Sequence, residues 1–81
     1  MANYAPVRPK AGASAAIPSS TKRTMIVAEG GDLLLSSDAV MNRATAIPLR
    51  AGRATEMPAN VTWICTPESG AGAEIRRMDI E

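Results

Sequence analysis

The chain has 81 residues, 46% of them apolar, but 15 are alanine, phenylalanine is absent, and leucine, isoleucine and valine together number only 14. A chain this short buries only about 60% of its unfolded surface even with an ordinary core, so a second domain and a large enzyme cleft are both excluded. Net charge is +1 but unevenly spread: residues 1–28 carry Arg8, Lys10, Lys22 and Arg23 and no acid, while residues 29–81 carry eight acids against five arginines. The whole chain therefore has no net attraction for nucleic acid or a membrane surface, and reads as a basic arm on a mildly acidic body.

Residues 1–23 hold Pro6, Pro9 and Pro18, six alanines and several serines, with neither a helical nor a strand period. Each proline removes a backbone donor and pushes its predecessor toward extended conformations. This segment is expected to be an extended, irregular arm, with a small β domain over 24–81. Tyr4, Val7 and Ile17 are its apolar anchors, and Arg8, Lys10, Lys22 and Arg23 its charged contacts. All seven are candidate partner-binding residues.

In the body, Thr24–Ala28 is β-prone and stops at Gly30-Gly31; Asp32–Ser36 follows. A hairpin through Glu29–Asp32 is expected from the Gly-Gly turn signal. Ser36-Ser37-Asp38 can cap a short helix over Ala39–Ala44, or lead as a loop into another strand. Thr45–Leu49 alternates, with Ile47 and Leu49 on one face and Pro48 assigning it to an edge. Arg50–Arg53 reads as a turn, Ala54–Met57 as a short strand, and Pro58-Ala59-Asn60 as another turn. Val61–Thr66 is the strongest strand, with Val61, Trp63 and Cys65 on one face. Ser69–Gly72 reads as a hairpin loop. In Ala73–Ile80, a bulge near Arg76-Arg77 would bring Ile75, Met78 and Ile80 to one side. Five to six short strands with frequent turns indicate a mainly β fold, a small antiparallel sandwich or barrel.

Much chemistry is excluded. Histidine is absent and Cys65 is the only cysteine, so Ser-His and Cys-His pairs and the usual zinc sites cannot form within one chain. No cofactor is implied. Glu29 with Asp32, and Glu74 with Asp79, read as solvated acids rather than catalytic pairs. Ser69–Gly72 lacks the Lys-Ser/Thr of a phosphate loop, and Asn60-Val61-Thr62 is a chance glycosylation sequon in a chain without a secretion signal. With two aromatic residues, the chain lacks stacking platforms for single strands; nucleic acid is disfavoured. No apolar run approaches the ~20 residues of a membrane span.

No internal disulfide can staple the fold, which points to a reducing compartment and to oligomerisation or docking as the substitute. Cys65 reads as a small core residue. Trp63 reads as a core anchor or, alternatively, an interface hot spot. Arg50 and Arg53, and Arg76 and Arg77, are solvated or, at an oligomer interface, would pair with Glu56, Glu74 or Asp79 of a neighbour.

The frame Ile47-Pro48-Leu49-Arg50-Ala51-Gly52-Arg53, Glu56-Met57-Pro58-Ala59-Asn60-Val61, Trp63, Ser69-Gly70 and Ala73-Glu74-Ile75-Arg76 resembles short β-proteins of tailed-bacteriophage virions. The resemblance covers about 35 residues and consists of turn chemistry. It implies a non-enzymatic capsid-associated protein that decorates or stabilises a phage head. Its partners would be the major coat protein or other virion proteins. It would be a homo-oligomer, with a trimer favoured, located in virions assembled in the host cytoplasm. A tail, neck or baseplate component, or a small module using the basic arm on nucleic acid, are the alternatives.

Overall fold

Seven strands form in chain order: β1 (Ala15–Ile17), β2 (Thr24–Glu29), β3 (Leu33–Ser36), β4 (Ile47–Leu49), β5 (Ala54–Met57), β6 (Trp63–Pro67) and β7 (Glu74–Asp79). The structure, a computed structural model, describes residues 4–68, 70 and 72–80, and no helix occurs among them. Two antiparallel sheets result, one of four strands in the order β1-β6-β3-β4 and one of three in the order β5-β2-β7. The mainly β antiparallel sandwich expected from the sequence is the observed architecture. The extra strand is β1, which comes from the segment read as an irregular arm.

Burial explains the pairing. In β2, Thr24, Ile26 and Ala28 are buried while Met25 and Val27 are only partly covered. In β3 all three leucines are buried, because Leu33 and Leu35 face the core and Leu34 faces outward under covering segments. On that outer face Thr66 donates its hydroxyl to the Ala13 carbonyl (2.8 Å), and Arg43 reaches from the 37–46 connection to the Pro67 carbonyl (3.2 Å). The core joins Ile17, Ile26, Ala28, Leu33, Leu35, Leu49, Met57, Cys65, Ala73 and Ile75, with Val7, Ala15, Val61 and Trp63 packed at its margin. Val61, Trp63 and Cys65 thus share the inner face, as their alternation requires.

Several local expectations are corrected. Gly30-Gly31 is not a hairpin turn, because β2 and β3 lie in different sheets. The turn carries the chain across the sandwich. Gly30 has φ 77°, and a Cβ there would overlap the Gly72 carbonyl oxygen, so glycine is required by a close approach between two crossing connections. The Pro67-to-Glu74 connection also crosses between sheets and is no hairpin; Ser69 and Ala71 lie outside the described residues. Of the two readings of the stretch after Ser36, the loop holds and the helix does not: residues 37–46 form neither helix nor strand and lead into β4. An Asn42 turn, with the Asn42 side chain accepting from the Ala44 amide (3.0 Å), takes the place of a helical turn. There is no bulge in β7: its pairing with β2 runs unbroken from Thr24–Asp79 to Glu29–Glu74. Ile75, Arg77 and Asp79 therefore face inward, and Met78 stays 51% exposed.

The two lateral sides of the sandwich differ. β4 ends the four-stranded sheet, β5 ends the three-stranded one, and a short turn over 50–53 joins them, so they lie on one side. β1 and β7 are then on the other. There Val7 adds an antiparallel bridge to Ile75, with the Val7 amide donating to the Ile75 carbonyl (3.0 Å) and the Ile75 amide to the Val7 carbonyl (2.8 Å). The N-terminal segment thus runs along one sheet edge and then the other. The radius of gyration, 11.5 Å, is close to the roughly 11.7 Å expected of a fully folded chain of this length, so this segment is folded back on the body.

Candidate functional site

A cleft opens on the β4/β5 side. Ile47 stands opposite Leu35 in register and so points to the inner face, yet it is 68% exposed. At this edge β4 ends one sheet and β5 the other, and Thr55 of β5 lines the cleft together with the β4 residues. Pro48 sits on this edge as its missing donor requires. The resulting cleft has a volume of about 210 Å³, walled by Leu35, Ile47, Pro48, Leu49 and Trp63, with Ser36, Ser37 and Thr55 supplying hydroxyls at its margin. Trp63 is partly buried against the core and also lines this cleft. Of the cleft residues only Trp63 stood out in the sequence. The inward parity of Ile47 with Leu49 beside an edge proline was the signal for the others.

The opposite side carries a polar latch. The Tyr4 hydroxyl donates to Asp79 (2.5 Å) and lies 3.1 Å from the Ser20 hydroxyl. The Arg77 guanidinium stacks 4.7 Å from the Tyr4 ring centroid and donates from Nε to the Thr24 hydroxyl (3.0 Å) and from a terminal nitrogen to the Pro18 carbonyl (2.5 Å). This latch accounts for Thr24 and Asp79 being buried. Its donors and acceptors come from four separate stretches of the chain, so it fixes the course of residues 4–20.

Four further arginines are engaged within the chain. Arg8 pairs with Glu74 (3.5 Å), Arg23 with Glu56 (3.2 Å), and Arg76 with Glu29 and Glu74 (both 3.4 Å). Arg50 bridges Asp32 (3.1 Å) and Glu68 (2.5 Å), tying together the β2–β3, β4–β5 and β6–β7 connections at one end of the sandwich. The Ala51 amide donates to Asp32 (2.8 Å). That bond, and then the Arg50 guanidinium, hold the Asp32 carboxyl below its ordinary value, while Asp32 and Glu68 raise Arg50. Lys10, Lys22 and Arg53 are exposed.

Among the residues read as partner contacts, Ile17 is fully buried in the chain's own core. Tyr4, Val7 and Arg8 lie against β7, and Arg77 faces inward. The structure thus brings Tyr4, Val7, Arg8, Arg76 and Arg77 together around one strand and leaves Trp63 and Arg50 elsewhere. Cys65 is fully buried; burial pushes its thiol up to about 11, which keeps it a neutral core residue. No cluster of three or more potential metal ligands exists among the described residues, and no described helix is long and apolar enough to cross a membrane. No protein-family model, no curated protein and no solved structure matches this chain.

Proposed function

We propose that this chain is a non-enzymatic structural protein of a tailed-phage particle, one that seats the cleft between β4 and β5 on a coat subunit. The carrying observation is Ile47: an inward-facing isoleucine on an edge strand, 68% exposed beside Trp63. A large aliphatic and an indole at an open sandwich edge are the side chains that gain most from being covered by a partner. The phage-like frame begins at Ile47 and runs through β4, β5, β6 and β7, and it includes four of the cleft's lining residues, Ile47, Pro48, Leu49 and Trp63. The polar groups do not converge on a reacting centre; they tie connections together. Arg8 and Arg23 are spent on Glu74 and Glu56, which weighs against phosphate contacts by the arm.

The test is sedimentation of the source lysate on a gradient, with the chain followed by antibody. The chain is expected in the particle fraction, and Ile47→Asp, exposed and therefore harmless to the fold, is expected to move it to the free-protein fraction. Wild-type chain found only among free proteins would sink the reading.

A further inference from the structure

The N-terminal segment has two parts that are held differently. The inner part, β1, places Ile17 fully inside the core. The outer part, residues 4–9, is a strap along β7. Its contacts are the Val7–Ile75 bridge, Val7 against the margin of the core, the buried Pro9, the Tyr4 hydroxyl on Asp79 and Ser20, the Tyr4 ring beneath Arg77, and the exposed Arg8–Glu74 pair. Between the two parts lies an exposed turn: the Ala13 amide donates to the Lys10 carbonyl (3.0 Å), and Gly12 has φ 73°. Thr66 holds the inner end of this turn through the Ala13 carbonyl, so residues 10–12 are the hinge. Lifting the strap would break no pairing among the seven strands, but it would uncover the core margin at Val7 and release the Tyr4 ring from Arg77. It would bare the outer edge of β7, one of the two longest strands, with Glu74 and Asp79 along it.

We propose that the strap is exchangeable: residues 4–9 of one copy dock on the β7 edge of a second copy. Charge complementarity selects this occupant. Residues 1–28 contain no acid, and the β7 edge offers Glu74 to Arg8 and Asp79 to Tyr4. A second copy presents the same strap to the same edge, so exchange reproduces every contact of the closed form, and only the hinge distinguishes the two. An unpaired edge is avoided in both. The exchange extends the structural reading by naming one contact between copies. It rests on that reading only for its place in a particle, since it is testable on the isolated full chain.

Arg8 and Glu74 flank the Val7–Ile75 bridge and stand opposite each other, so cysteines there oppose their Cβ atoms across the pair. One full-length chain carries Arg8→Cys, another Glu74→Cys; Cys65 is buried and does not compete. The two are mixed at high concentration and mildly oxidised. Docking of one strap on the other chain's β7 is expected to enrich the mixed disulfide over either homodimer by roughly tenfold or more. The double variant Arg8→Cys/Glu74→Cys should close within one chain when oxidised dilute and give covalent dimers when oxidised concentrated. A statistical mixture of mixed and homodimeric products, or closure within one chain at every concentration, overturns the exchange. A double variant that fails to close even when dilute also overturns it, because the strap then does not reach β7. None of these results bears on whether the chain sediments with particles, so the two proposals fail separately.

Discussion

The two lateral sides of the sandwich solve the problem of an open edge in opposite ways. On the β1/β7 side, the chain uses its N-terminal segment to cover both sheet edges and adds a latch of Tyr4, Asp79, Arg77 and Ser20. On the β4/β5 side there is no such cover, and Ile47 and Trp63 border an open cleft. A chain with so few large apolar residues has spent Ile17 and Val7 on one side and left the other uncovered. The difference separates side chains that hold the fold from side chains available to a partner.

Paired truncations break that comparison most sharply. Ile17→Ala removes a fully buried side chain and is expected to cost about 3 kcal/mol, lowering Tm by roughly 12 °C or more. Ile47→Ala, in the same measurement, is expected to stay within about 0.5 kcal/mol. Equal losses at the two positions would show that the cleft is closed in solution. Trp63→Ala is expected to fall between them, at about 2–3 kcal/mol, because Trp63 is only partly buried against the core. A full core value in urea titration would remove Trp63 from the cleft.

Tyr4→Phe keeps the ring beneath Arg77 and removes the hydroxyl from Asp79 and Ser20. The expected cost is about 1–2 kcal/mol, with faster hydrogen exchange at the Val7 and Ile75 amides. Unchanged exchange there would mean that the latch does not hold the strap. The smallest effect belongs to Asp32. Its folded pKa is lowered from the ordinary 3.8, first by the Ala51 amide and then by Arg50, so its contribution is complete above pH 3.8 and fades as pH falls through the lowered value. The Tm difference between wild type and Asp32→Asn should shrink on acidification below pH 3.8. A difference that persists at full size would place the effect elsewhere. Cys65 has the opposite sign. Its thiol rises from 9.0 to about 11, so burial of the neutral thiol supports the fold fully below pH 9 and progressively less above it. Thiol reagents should react only as fast as the molecule opens globally.

Six of the seven strands were legible because each carries its own pattern. Val61, Trp63 and Cys65 alternate, Pro48 marks an edge, Gly30 ends β2 and Pro58 ends β5. β1 was not, since Ala15-Ala16-Ile17 has one large side chain and becomes a strand only through pairing with Trp63–Cys65. Sheet membership was hidden for a similar reason. A Gly-Gly turn looks the same whether it reverses the chain within a sheet or carries it across, and the carbonyl of Gly72 against Gly30 is a contact across 42 positions. In β7 the expected bulge came from treating Met78 as a core residue. The actual register buries Asp79 instead, and Tyr4, 75 positions away, makes that burial possible. Of the cleft, Trp63 was visible by type. The inward parity of Ile47 was legible, but its exposure was not, because that depends on how β4 and β5, from different sheets, meet at the edge.

The order β5-β2-β7 has a consequence for synthesis. β2 is the centre of its sheet, but one of its partners, β7, follows it by about 50 positions. A growing chain presents Thr24–Glu29 long before Glu74–Asp79 exists, and with a single within-sheet hairpin, β3–β4, there is little local structure to shelter it. The sandwich therefore closes only after the chain through Asp79 has left the ribosome. Until then Ile26 and its neighbours are exposed to whatever else is nearby.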